Sequence, residues 1–178
     1  MAYWNCRRFG YPKFRVFGNR RYMLDILVCR TLKDVLVQLK IAMLKQQHAE
    51  ILSAVTELTN LLNGSFEEAA SQLGTARTNL ARLIAKHLKT EEEELHAPLR
   101  ARGLTAQIPA FAEIAAETRD LRLNYSAHIG EWHARTIQAN WPGYIASARR
   151  LHAALERLTK REEEGIYPAA QRLLSELR

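Results

Sequence analysis

Residues 43–63 read MLKQQHAEILSAVTELTNLLN, and this stretch decides the fold class. Its apolar residues recur at alternating steps of four and three positions, which is the spacing of one face of an α-helix. The face consists of Leu44, Ile51, Val55, Leu58 and Leu62, with His48 at the same spacing. Asn63-Gly64 follows and is typical of a helix end. The stretch therefore predicts an amphipathic helix with one buried side.

Three later stretches carry the same period. Ser65 and Glu68 form a capping box that predicts the start of a second helix. Pro109 suits the start of a third helix, and residues 140–143 (NWPG) predict the turn before a fourth. The three apolar faces are Leu73, Ala76, Leu80, Ile84 and Leu95; Phe111, Ile114, Leu121, Tyr125 and Trp132; and Tyr144, Ala148, Leu151, Leu155, Leu158 and Ile166.

No strand pattern occurs in the sequence. Four amphipathic helices with short connections pack most simply around one core. We therefore predict an all-α protein in which residues 44–178 form an antiparallel up-down-up-down four-helix bundle. Residues 23–43 are predicted as a helical segment that either extends the first helix or forms a separate one. Residues 1–22 are predicted as a basic N-terminal extension, poorly ordered.

The net charge of +7 lies entirely before residue 41, because residues 1–40 hold nine basic and two acidic residues. Residues 1–22 also hold seven of the fourteen aromatic residues. This segment fits a weak, non-specific arm for nucleic acid or anionic lipid. It fits equally an appendage outside the functional domain, whereas Gly10, Pro12 and Gly18 disfavour an amphipathic presequence.

Composition excludes several classes of protein. No run of about 18 apolar residues exists, so no transmembrane segment is predicted. Cys6 and Cys29 make no disulfide framework, and no secretory signal is recognisable, so a cytoplasmic location is predicted. P-loop, Rossmann, nucleophile-elbow and CxxC motifs are absent. We therefore expect no catalytic residues, and a binding protein rather than an enzyme.

Polar residues on the apolar faces are the candidates for function. They are His48, His87, Glu91, His128 and Glu162. Burying an imidazole or carboxylate without a partner costs several kcal/mol. His87 and Glu91 are four residues apart, so their side chains project from adjacent turns of one face. Imidazole nitrogen and carboxylate oxygen suit iron, manganese or zinc, which predicts a metal site inside the bundle.

Each candidate also has an ordinary structural interpretation. A single histidine on a helix face is more often a hydrogen-bonded core residue than a metal ligand. The acidic runs 91–94 and 162–164 are typical of solvated helix faces. His152 lies off the fourth apolar face, and His96 and His133 are predicted to lie on the surface. Convergence of several polar residues, rather than any single one, favours the metal site.

Two segments resemble the hemerythrin-like (HHE cation-binding) family. Residues 87–98, HLKTEEEELHAP, are similar to the second-helix motif H-x3-E-E followed by apolar residues and proline. Residues 162–168, EEEGIYP, are similar to the fourth-helix ending E-E-x-x-L-Y-P. His48 and His128 match the first-helix and third-helix histidines by order. The resemblance implies a four-helix bundle with a non-haem di-iron site that binds oxygen, senses oxygen or iron, or handles reactive oxygen and nitrogen species. We expect oxygen, iron or redox sensing or binding, with a protein partner or a homodimer.

The resemblance implies His48, His87, Glu91, His128 and Glu162 as ligands, but the pattern departs from the family at one ligand position. A histidine is expected four residues before Glu162, where this chain has Leu158. Pro98 also stands one residue later than usual. We therefore expect a mononuclear or sub-stoichiometric iron site rather than a stable di-iron centre. The alternative is a metal-free helical interaction or regulatory module that has lost part of the site.

Overall fold

The computed structural model describes the backbone of residues 19–176 and the side chains of residues 32–176, so most of the predicted N-terminal extension lies outside the described residues. The helices are α1 (Asn19–Leu61), α2 (Phe66–Glu91), α3 (Ala97–Ala101), α4 (Phe111–Glu131), α5 (Ala134–Ala139), α6 (Trp141–Arg161) and α7 (Tyr167–Ser175). A 3₁₀ turn spans Thr105–Gln107. Residues 19–176 contain no strand. The predicted all-α fold class is confirmed.

Two π-helical turns interrupt otherwise continuous helical rods. The first π turn, Glu92–His96, joins α2 to α3, and the second π turn, Glu162–Ile166, joins α6 to α7. A proline lies in the first turn of the helix that follows each of them. Single π turns inside α-helices often mark functional sites.

The first helix is longer than its apolar face predicts. Its backbone runs unbroken from Asn19, so residues 24–41 extend the first bundle helix rather than forming a separate one. The buried face begins only at Ile41 and Leu44. Before that point a row of large apolar side chains is exposed: Leu32, Val35, Leu36 and Leu39, followed by Met43.

Local hydrogen bonds explain where the helices start. Ser65 Oγ accepts from the Glu68 backbone N–H at 3.3 Å, and Glu68 Oε2 accepts from the Ser65 N–H at 2.8 Å, which is the predicted capping box. The Asn140 side chain accepts from the Gly143 N–H at 3.0 Å. The predicted turn at residues 140–143 is therefore the N-cap and first turn of α6, because proline suits the first helical positions.

The helices form a bundle-like assembly in which α1 packs along α2 and α7, while α4 packs along α6. Two apolar cores fill it. One surrounds Leu44, Leu99 and Tyr167, and the other surrounds Val55 and Tyr144. His48 lies on α1 one turn from each core. No helix within the described part of the chain is both long and apolar enough to cross a membrane.

Candidate metal centre

Three segments bring four polar side chains together in the interior. α1 contributes His48, α2 contributes His87 and Glu91, and the second π turn contributes Glu162. None of the four is more than 5% exposed. The structure thus assembles four of the five residues that sequence reasoning selected.

The distances within this buried cluster are short. His48 Nε2 lies 3.0 Å from His87 Nε2 and 3.4 Å from Glu162 Oε2. His87 Nε2 lies 3.9 Å from Glu91 Oε2. Three possible ligand atoms, one each from His48, His87 and Glu162, lie within 4.8 Å of one another. Groups at this spacing can bind one ion together.

Surrounding side chains orient the two imidazoles. Glu163 Oε1 lies 2.9 Å from His48 Nδ1, so the carboxylate accepts the Nδ1 proton. Gln47 Oε1 lies 3.2 Å from His87 Nδ1 and accepts its proton, because the Gln47 amide nitrogen donates to Thr90. Partners of this kind fix the tautomer of metal-binding histidines. Both rings therefore direct an Nε2 lone pair toward the centre of the cluster.

Tyr167 and Thr118 hold the two carboxylates. The Tyr167 hydroxyl donates to Glu91 Oε1 at 3.0 Å and lies 3.3 Å from His48 Nε2. Burial, followed by the charges of Glu91 and Glu162, raises the pKa of Tyr167, so its hydroxyl keeps its proton. Thr118 Oγ1, on α4, lies 3.2 Å from Glu162 Oε1 and donates to it.

Burial also shifts the protonation of the cluster. It lowers the pKa of His87 to about 3, with smaller contributions from His48 and His96. It raises the pKa of Glu91 to about 8, aided by the charge of Glu162. At neutral pH His87 is therefore neutral with a free lone pair, and Glu91 holds a proton that a bound cation would displace.

His96 corrects a prediction. It was expected on the surface, yet it is only 9% exposed, and its Nε2 lies 3.9 Å from Glu91 Oε1. The π turn adds a residue to the helical turn, which rotates His96 inward against the edge of Phe111, with ring centroids 5.1 Å apart. His96 Nε2 is buried without a hydrogen-bond partner.

His128 lies outside the cluster. Its Nδ1 is 3.0 Å from Ser147 Oγ, and its ring stacks on Tyr144 with centroids 5.5 Å apart. Burial, followed by the charge of Arg77, lowers its pKa to about 4. Thr118 is the α4 residue at the level of the cluster, and ten residues separate it from His128. That separation is about 15 Å along the helix axis, which places His128 in the second core.

The remaining histidines of the described chain lie away from the cluster. His152 was predicted off the buried face of its helix, but it is buried, and its Nδ1 lies 3.0 Å from Thr59 Oγ1. The buried face of α6 is simply wider than one row, since Thr159 is buried as well. His133 is exposed, as predicted, and caps α5 by accepting from the Thr136 N–H.

The fold and the site define an all-helical protein with a buried imidazole–carboxylate cluster. No protein family, curated protein or solved structure matches the chain. The resemblance to hemerythrin-like proteins therefore rests on the sequence motifs alone.

Proposed function

We propose that this protein binds a metal ion, iron by its resemblance to hemerythrin-like proteins, through His48, His87, Glu91 and Glu162. The observation that carries the proposal is the approach of two imidazole Nε2 atoms to 3.0 Å beside a buried carboxylate. With both Nδ1 protons directed at Glu163 and Gln47, the two facing nitrogens present lone pairs to each other. Such a pair requires a proton or a cation between them.

The donor set fits a borderline divalent ion. Two imidazoles and two carboxylates suit iron, manganese or zinc better than magnesium or calcium. His96 adds a third imidazole whose Nε2 has no hydrogen-bond partner. The position that would supply a further histidine is Leu158, which is buried in the first apolar core. These groups support one ion rather than two.

Iron held by imidazole and carboxylate would supply oxygen binding or a change of oxidation state that a partner reads. Neighbouring side chains would orient the ligands. Glu163 and Gln47 hold the rings in one tautomer, while Tyr167 and Thr118 orient the carboxylates. Two apolar cores flank the cluster.

An antiparallel up-down-up-down four-helix bundle is the arrangement we propose for the main helices α1, α2, α4 and α6. The short connection between α1 and α2 and the packing of these two helices support an antiparallel pair. The packing of α4 along α6 supports a second pair. In this arrangement the cluster lies where α1, α2 and the end of α6 approach one another.

The second candidate function is a metal-free interaction module. The exposed apolar row on α1, from Leu32 to Met43, favours it, because such rows often bind partners. The cluster would then be maintained by the protonated Glu91 and its bond with Tyr167.

Metal titration separates the two functions. Untagged protein is stripped with a chelator and titrated with Fe²⁺, Mn²⁺ or Zn²⁺ while its melting temperature and bound metal are measured. An ion that binds the folded state stabilises it by roughly 2.7 kcal/mol at a hundredfold excess over its dissociation constant. We expect about one ion per chain. His87→Ala should abolish the gain and His133→Ala, on the surface, should keep it. An unchanged melting temperature with all three metals would favour the interaction module.

A further inference from the structure

A large cavity lies between α2 on one side and α4 and α6 on the other. Its volume is about 620 Å³, within the range of pockets that hold small organic molecules. Its walls are mainly apolar and include Ile84, Leu88, Leu121, Tyr125 and Leu155. The cavity exists because α1 packs along α2 and α4 packs along α6, which leaves the two pairs apart on this side.

The two ends of the cavity differ in charge. Its inner end reaches His87 and Glu162 of the buried cluster. Its exposed rim carries Lys89, Arg122 and Glu92, and Glu92 is paired with Arg100. Lys89 lies 3.9 Å from Glu93, whereas no ion pair of Arg122 is found among the side chains of residues 32–176.

These charges orient an amphiphilic ligand. The Glu162 carboxylate repels an anionic group at the inner end, and Arg122 attracts one at the rim. The apolar walls favour a hydrocarbon body. An uncharged hydrocarbon would form no ion pair with Arg122. A polar metabolite would bury no apolar surface against the walls.

We propose that this cavity binds an elongated apolar carboxylic acid of the fatty-acid type, with its carboxylate at Arg122 and its chain along the apolar walls. The site does not depend on a bound metal ion, since its walls and rim are complete without one. It adds a ligand-binding function to the proposed metal function.

Binding is measured on the full chain in the presence of a chelator. Dodecanoate and the uncharged 1-dodecanol each compete with an uncharged fluorescent apolar probe, N-phenyl-1-naphthylamine. Ala81→Phe fills the cavity from α2, and Ala70→Phe adds the same ring at an exposed position of that helix. We expect dodecanoate to displace the probe. Ala81→Phe should weaken the binding of dodecanoate about tenfold or more, which corresponds to roughly 1.4 kcal/mol.

A second variant tests the rim and does not disturb the core. Arg122→Gln should weaken dodecanoate roughly two- to fivefold, the size of an exposed ion pair, and should leave 1-dodecanol unchanged. Three results would overturn the proposal. Ala81→Phe and Ala70→Phe could bind dodecanoate equally well, or Arg122→Gln could bind it as tightly as the wild type. The third is a failure of dodecanoate to displace the probe. A dimer that Ala81→Phe dissociates in sedimentation velocity would also overturn it, because a second copy would then fill the cavity.

The metal titration described above is independent of these measurements. Loss of dodecanoate binding with intact metal binding would refute the fatty-acid site alone. Loss of metal binding with intact dodecanoate binding would refute the metal site alone.

Discussion

Replacing Glu91 by glutamine should change how the stability of the metal-free protein depends on pH. Folding raises the pKa of Glu91 from 4.5 to about 8, through burial and then the charge of Glu162. Between these values the folded protein keeps a proton that the unfolded chain has released. The free energy of unfolding therefore falls as the pH rises through this window. Glutamine does not titrate, so the variant should lack this fall.

The histidines also make stability depend on pH, and this affects the choice of pH range for the measurement. Burial lowers the pKa of His87 from 6.5 to about 3, so the unfolded chain binds more protons below pH 6.5 and stability rises with pH there. Burial lowers the pKa values of His96, His128 and His152 in the same direction. These histidines are the same in Glu91→Gln, so the difference between the two proteins between pH 6.5 and 8 isolates the Glu91 effect. A site that titrates alone changes stability by about 1.4 kcal/mol per pH unit, so the wild type should lose on the order of 2 kcal/mol relative to Glu91→Gln.

Urea unfolding in the presence of a chelator, at intervals between pH 6.5 and 8, measures this difference. Glu93→Gln is the matched control, because Glu93 lies two residues from Glu91, on the adjoining π turn, but is exposed. Its curve should parallel that of the wild type. If Glu91→Gln also runs parallel to the wild type, Glu91 carries no proton in this range and the electrostatic account of the cluster is wrong.

Three further predictions concern the metal site. At saturating Fe²⁺ His87→Ala should lose the metal-dependent rise in melting temperature that His133→Ala retains, as differential scanning fluorimetry would show. Tyr167→Phe should lower the free energy of urea unfolding by about 1–3 kcal/mol, because Glu91 loses a buried hydrogen-bond donor; a smaller effect than about 0.5 kcal/mol would mean that water replaces the hydroxyl. Leu158→His should raise the iron content per chain measured by plasma emission spectroscopy, whereas an unchanged content with a lower melting temperature would show a merely destabilising imidazole.

Periodicity predicted the helices and most of the buried residues, because a 3.6-residue repeat reports directly which side of a helix faces a core. It failed where the repeat itself changes. The π turns shift the register, which brings His96 and Tyr167 inward although neither lies on a predicted face. Position along the helix axis is invisible to periodicity as well. His128 shares a face of α4 with Thr118, but the two side chains lie at different levels of the protein.

The cavity could not be predicted from the sequence either. Leu121 and Leu155 carry the pattern of ordinary core residues, and a pattern of apolar residues is the same whether two helices touch or stand apart. Only the spacing between the helix pairs distinguishes a packed core from a pocket.

The two π turns let the chain carry one extra residue without turning the helix that follows. Each turn closes its hydrogen bonds over five residues instead of four, so it accommodates one residue more than an α-helix would. In the second turn the Tyr167 N–H donates to the Glu162 carbonyl. Deleting a single residue such as Glu164 would leave these two residues four apart, which is ordinary α-helical spacing. Tyr167 would then stay one turn beyond Glu162, on the side of the helix that faces Glu91. The geometry of this centre therefore depends on the residues that flank the π turns and tolerates the loss of one residue within a turn.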